Sequence, residues 1–109
     1  MTAMPVDSGD RLWTELWVSL ASLLRSYTAA HGLNGSRQAT VELGEERIMV
    51  RRGERWLRLE RAGAEIDVMR EDGAGWRMKF GEDGRIGSET GEWMEMDMQA
   101  ESWARELMG

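Results

Sequence analysis

Between Leu12 and Tyr27 the apolar residues Leu12, Leu16, Leu20, Leu23, Leu24 and Tyr27 recur at three- and four-residue steps, which lines them along one face of an α-helix. Asp7, Ser8 or Asp10 is placed to cap its start. Gly32, directly after His31, is placed to end it, because glycine takes the left-handed C-terminal conformation without a Cβ penalty. The predicted helix covers residues 10–31. Trp13 and Trp17, one turn apart at the edge of the stripe, make it wide enough to rest on a sheet.

From Gln38 onward the period falls to two: Ala39, Val41 and Leu43, then Ile48 and Val50, Leu57 and Leu59, Ile66 and Val68, and Trp76, Met78 and Phe80. This alternation predicts half-buried strands. The breaks read Gly44-Glu45, Arg52-Gly53, Ala62-Gly63, Glu71-Asp72-Gly73 and Gly81-Glu82-Asp83-Gly84, which is hairpin-turn chemistry. No interval is long enough for a crossover helix, so the strands form an antiparallel meander. Five strands are predicted, with a short sixth near Arg85–Gly87.

The last segment carries two periods at once. Trp93, Met96, Ala100, Trp103, Ala104 and Leu107 make a helical stripe, while Met94, Met96 and Met98 alternate with Glu95 and Asp97 as a strand would. A helix is expected over at least Gln99–Met108, and residues 92–98 stay open between strand and helix. Five tryptophans, Trp13, Trp17, Trp76, Trp93 and Trp103, fall on core-facing positions of this scheme. The expected fold is a single α+β domain over residues 1–109: a two-layer sandwich with both helices on one face of the meander and the other face in water. Residues 1–9 are expected to form a flexible N-terminus.

Composition narrows the chemistry. A chain of 109 residues, 41% hydrophobic and 31% charged, is the size of one folded domain. It has no cysteine, which removes disulfides, thiolate catalysis and thiolate metal sites. The net charge is -6, and most of the excess lies in Glu82, Asp83, Glu89, Glu92, Glu95, Asp97, Glu101 and Glu106, opposed only by Arg85 and Arg105 within that stretch. Such a balance disfavours nucleic acid, which draws its affinity from clustered Lys and Arg. Glu15 interrupts the apolar run Leu12–Leu24, so that run is not a signal-peptide core, and no stretch approaches the ~18 apolar residues of a membrane span. A cytoplasmic protein with no membrane or nucleic-acid partner and no cofactor is expected.

No catalytic constellation stands out. His31 is the only histidine, and its place at the end of a helix suits a cation at the negative end of the dipole. The acidic clusters at Glu71-Asp72 and Glu82-Asp83 lack the spacing of a calcium loop and read as turns. Neither glycine-rich phosphate motif occurs. Strand alternation instead places Arg47, Met49, Arg51, Trp56 and Arg58, with Glu65, Asp67, Met69, Arg77 and Lys79, on the face opposite the core. One reading is a solvated face whose arginines pair with Glu60, Glu65 and Asp67; the other is a partner site centred on Trp56, since tryptophan and arginine are enriched at binding hot spots. Met94 and Met98 add a second candidate surface near the C-terminus, methionine being adaptable at contact surfaces.

The order helix, five or six meander strands, closing helix resembles the frataxin fold, most closely from Gly75-Trp76-Arg77-Met78-Lys79-Phe80 through Thr90-Gly91-Glu92-Trp93. That resemblance implies iron bound by acids of the first helix and first strand, here Asp7, Asp10, Glu15, Glu42, Glu45 and Glu46. The family's Asn/Gln-Pro-Gln-Trp signature is replaced by Arg61-Ala62-Gly63-Ala64-Glu65-Ile66. The leading expectation is a non-enzymatic interaction module binding a protein partner or a second copy through Trp56, Arg47, Met49, Arg51 and Arg58 or through Met94 and Met98. The alternatives are a frataxin-like iron binder using Asp10, Glu15, Glu42 and Glu46, and a small-ligand carrier or enzyme without a recognisable motif.

Overall fold

A computed structural model describes residues 8–32 and 38–109. Helix α1 (Ser8–His31) is followed by strands β1 (Thr40–Leu43), β2 (Arg47–Arg52), β3 (Arg55–Ala62), β4 (Glu65–Arg70), β5 (Gly75–Phe80), β6 (Arg85–Ser88) and β7 (Trp93–Glu95), and by helix α2 (Met96–Met108). The strands form one seven-stranded sheet in sequence order, each pair antiparallel. Two-residue loops join β2 to β3 and β3 to β4, and their first residues, Gly53 and Gly63, both have φ of 62°. Tight hairpins need that left-handed backbone, which only glycine adopts cheaply.

Alternation decides which side chains leave water. The registers align Ile48 with Leu59, Val50 with Leu57, Leu59 with Val68, Ile66 with Met78, and Phe80 with Ile86. All of these belong to one buried cluster with Trp17, Leu20, Ala21 and Leu24 of α1 and Met96, Ala100, Trp103 and Leu107 of α2. Both helices therefore cover the same face, and the contact between them is as extensive as that between any two strands. They run in the same direction. Thr14 and Trp17 of α1 reach Arg61 and Gly44 at one end of the strands, while Glu106 of α2 meets Arg55 and Arg70 at the other, beside the Gly32–Met108 contact.

Polar ties fix the ends of this layer. The Trp17 indole N–H donates to the Gly44 carbonyl at 2.9 Å, and Arg25 donates to the Val41 carbonyl. The Arg25 donor occupies an acceptor of the edge strand β1, where another strand would otherwise pair, and the Trp17 donor one in the β1–β2 turn. Arg55 donates to the Glu106 carbonyl at 2.9 Å, Arg70 pairs with the Glu106 carboxylate, and the Arg70 guanidinium stacks 4.6 Å from the centroid of Trp76. Between the helices, His31 Nε2 meets Glu101 Oε2 at 2.8 Å, and Glu101 also accepts from Arg105. Thr28, the buried polar residue of α1, donates its hydroxyl to the Leu24 carbonyl.

The architecture is α+β as expected, but the sheet has seven strands rather than five or six. The extra strand is β7, and α2 begins at Met96, both within the residues 92–98 that the sequence left open between strand and helix. Met96 opens the helix and is buried, whereas Trp93 belongs to the strand and not to the helical stripe. Its register partner is Gly87, on the face away from the helices, so the core-facing placement expected for Trp93 is corrected: it is 44% exposed. Trp17 and Trp103 are buried, and Trp13 and Trp76 pack against the core. The helix begins at Ser8, within the stretch expected to be flexible; residues 1–7, Asp7 among the candidate caps, lie outside the described residues, as do the side chains of Ser8 and Asp10.

Gly87 is the floor on which the Trp93 indole lies, since a Cβ there would come within 2.8 Å of the ring. Gly87→Ala is expected to cost about 1–3 kcal/mol by overpacking. In a urea double-mutant cycle with Trp93→Ala, removing the ring should make the alanine at 87 cheaper; strictly additive losses would show that the two do not touch. A second expectation concerns acid. The Arg105 and His31 hydrogen bonds pull Glu101 from the usual 4.5 to about 2. A carboxylate lowered on folding stabilises the native state above its unfolded pKa and loses that contribution as pH falls through the folded one. Thermal melts from pH 4.5 to pH 2 should therefore decline less steeply for Glu101→Gln than for the wild type, and parallel declines would refute the coupling.

Candidate interaction surface

The outer face is built in rows by the sheet register. Thr40, Arg51 and Trp56 form one; Glu42, Met49, Arg58, Met69 and Gly75 the next; then Arg47, Glu60, Asp67 and Arg77; then Glu65, Lys79, Gly87 and Trp93; and finally Arg85 and Glu95. Side chains within a row are cross-strand neighbours and interact directly. The predicted outer-face set is therefore brought together as read from the sequence, and Arg47, Met49, Arg51, Trp56 and Arg58 share one side of the sheet.

Within that face, cations divide into two kinds. Arg47 pairs with Glu60 at 2.7 Å, Arg77 with Asp67 at 2.9 Å, and Arg85 with Glu95 at 3.3 Å; the hydrogen bond that Arg77 donates to Asp67, the Asp67 charge and the nearby Glu65 and Glu89 carboxylates hold the Arg77 pKa above its ordinary value. These are ordinary cross-strand pairs of a solvated face. Arg51 and Arg58 differ, because among the described residues neither has a carboxylate within 4 Å. Arg58 lies between two methionines in its row, donates to the Met69 sulfur at 3.1 Å, and holds its guanidinium 5.5 Å from the Trp56 centroid. A guanidinium stacked on an indole keeps most of its N–H donors free for a partner. Trp56 is half-buried, and its backbone N–H is held by the Glu71 carboxylate, which fixes the start of β3 beneath the cluster.

Met94 and Met98 belong to a different place. By register with Ile86, Met94 points to the helix side of β7, beyond the helices' cover, and Met98 projects from the first turn of α2; they are 39% and 59% exposed. Trp93, on the opposite face of the same edge strand, is also exposed, so the segment 89–98 shows apolar side chains on both sides of the sheet edge among Glu89, Glu92, Glu95 and Asp97. Strands β5 and β6 stand between this segment and the Trp56 cluster, so one copy does not unite the two candidate surfaces. Sequence reasoning missed the partners of Trp93: it caps Gly87 and lies 5.7 Å from the Lys79 ammonium.

The carboxylates of the iron-binding alternative are distributed over the fold. Glu15 is exposed on α1, Glu42 lies on the outer face of β1, and Glu46 is in the β1–β2 turn; the Asp10 side chain is outside the described residues. Among the described residues no three acidic or histidine side chains converge on a common point. His31 is tied to Glu101 across the helices. The space between helices and sheet is occupied by Trp17, Leu20, Leu24, Trp103 and Leu107. Hollows open at the rim instead, one of about 300 Å³ bordered by Glu65, Arg77, Lys79, Ser88, Glu89 and Trp93. No helix among the described residues is long and apolar enough to cross a membrane. Comparison with protein-family models, with curated proteins and with solved structures finds no match for this chain.

Proposed function

We propose that this chain is a non-enzymatic protein-interaction module whose contact surface is the outer sheet face around Trp56, and that it receives an acidic segment of a protein. One observation carries this reading: Arg51 and Arg58 flank a half-buried tryptophan and two methionines without carboxylate partners among the described residues, on a face whose other arginines are paired. In a chain with 20 acids and 14 basic residues, two guanidiniums left open beside an indole supply charge complementarity and an apolar anchor together. Tryptophan and arginine dominate interface hot spots, and methionine accommodates varied partner shapes. A polyphosphate suits the surface less well. Glu42, Glu60, Glu65 and Asp67 interleave with its cations, whereas nucleic-acid binding draws on an unbroken basic field.

Chemical-shift mapping tests the proposal. A ten-residue peptide of alternating glutamates with one tryptophan is titrated into the folded protein, beside the same peptide with glutamines. The glutamate peptide should move amides of Met49, Arg51, Trp56, Arg58 and Met69 as one set, and Trp56→Ala or Arg58→Glu should weaken binding about tenfold or more, the scale of an interface hot spot. Equal shifts from the glutamine peptide, or shifts centred away from β2–β4, would overturn the reading.

A further inference from the structure

We infer that the acidic segment received by the Trp56 face is residues 89–98 of a second copy of this chain, so that copies join head to tail; the inference rests on the reading of the Trp56 face given above. The exposed large hydrophobic residues of the described surface lie in three places: Val18 with Leu43, Met69 on the outer face, and the edge segment, where Trp93 is on the outer face and Met94 and Met98 are on the helix side. The last two are opposite in charge. Met69 and Met49 flank Arg58 with Arg51 nearby, and Trp93, Met94 and Met98 are set among Glu89, Glu92 and Asp97, which have no basic partner within 4 Å among the described residues. The first surface offers open guanidiniums around an apolar centre; the second offers the Glu92 and Asp97 carboxylates beside exposed indole and thioether groups, with Lys79 against the indole and Glu89 in the field of Arg77.

Topology forces the match to be between copies. The segment lies at one edge of the sheet and the cluster on β2–β4, with β5 and β6 between them, and neighbouring strands are about 4.8 Å apart. No side chain spans that separation. A symmetric face-to-face dimer is disfavoured by the central row, whose charges run Arg47, Glu60, Asp67, Arg77. A twofold axis through the middle of that row sets like charge on like. Pairing the cluster of one copy with the edge segment of the next avoids this clash. Because the two surfaces are different patches, the contact either closes as a reciprocal twofold pair, in which each copy gives and receives, or runs on from copy to copy.

Sedimentation velocity of the full chain over a wide concentration range tests the inference, at low and high ionic strength. Wild-type protein should gain mass with concentration, to a dimer or beyond, and salt should reverse the gain by screening the charges. Arg51→Glu with Arg58→Glu disables the receiving face, and Glu89→Lys with Glu92→Lys disables the donated segment. Each folded double variant should remain monomeric where the wild type assembles, and their mixture should assemble again because each supplies the surface the other lacks. Trp56→Ala and Met98→Gln, which leave the charge unchanged, replace a reversed variant that fails to fold. A wild type monomeric at every concentration, an assembly indifferent to both reversals, or folded variants whose mixture stays monomeric overturns the head-to-tail contact. If that happens while the glutamate peptide still maps to β2–β4, the interaction face stands and its partner is a different protein; if the peptide also fails, both readings fall.

Discussion

Burial in this protein takes place in one layer, between the inner face of the meander and the two helices laid across it. Ile48, Val50, Leu57, Leu59, Ile66, Val68, Met78, Phe80 and Ile86 all face that layer. A sheet face of this width is too broad for one helix, whose apolar stripe contacts only a few strands at its ~10 Å diameter. The second helix is therefore a requirement, and the ties at the edges of the layer follow from it. Trp17 and Arg25 hold α1 to the β1 side, while Arg55 and Arg70 hold the last turn of α2. Because one face carries the core, the opposite face is free to hold charge, and its rows alternate between settled ion pairs and the open cluster at Trp56.

Much of this was legible because the relevant signals are local. The inner and outer members of β2–β5 follow from a period of two, and the turn glycines mark the hairpins, so the set around Trp56 is placed by counting alone. The last strand was not legible. Over residues 93–98 the strand and helix periods overlap: Met94, Met96 and Met98 alternate as a strand would, while Trp93 and Met96 fit the helical stripe. Only the tertiary pairing of Gly87 with Trp93 decides between them. Once that pairing exists, the indole has a flat glycine surface to lie on and no longer belongs to the helical stripe it shares in sequence with Met96 and Ala100.

For the candidate site, alternation showed which residues share a face but not which cations lack partners. Arg47 and Arg58 look alike in sequence, each near a β3 or β4 acid. Register separates them: Arg47 stands opposite Glu60, whereas Arg58 stands between Met49 and Met69. Met94 and Met98 are both exposed, one on β7 and one on the first turn of α2, and their orientation depended on where β7 ends and α2 begins. Arg55 and Arg70 escaped attention altogether, since nothing in a linear reading brings them to a helix that ends some forty or fifty residues later.

The helix pair has a consequence for how the chain acquires its structure. Every strand of the meander pairs with its sequence neighbour, so the sheet can grow hairpin by hairpin with short loop closures. The layer that covers it joins Ser8–His31 to Met96–Met108, the most distant contact the chain makes, and distant contacts form slowly because loop-closure entropy precedes their reward. During synthesis the apolar face of the sheet cannot be fully covered before α2 has emerged. Until the final turn of α2 has left the ribosome and docked, that face is open to solvent, making the interval between β7 and α2 the moment when this chain is most exposed to misassociation.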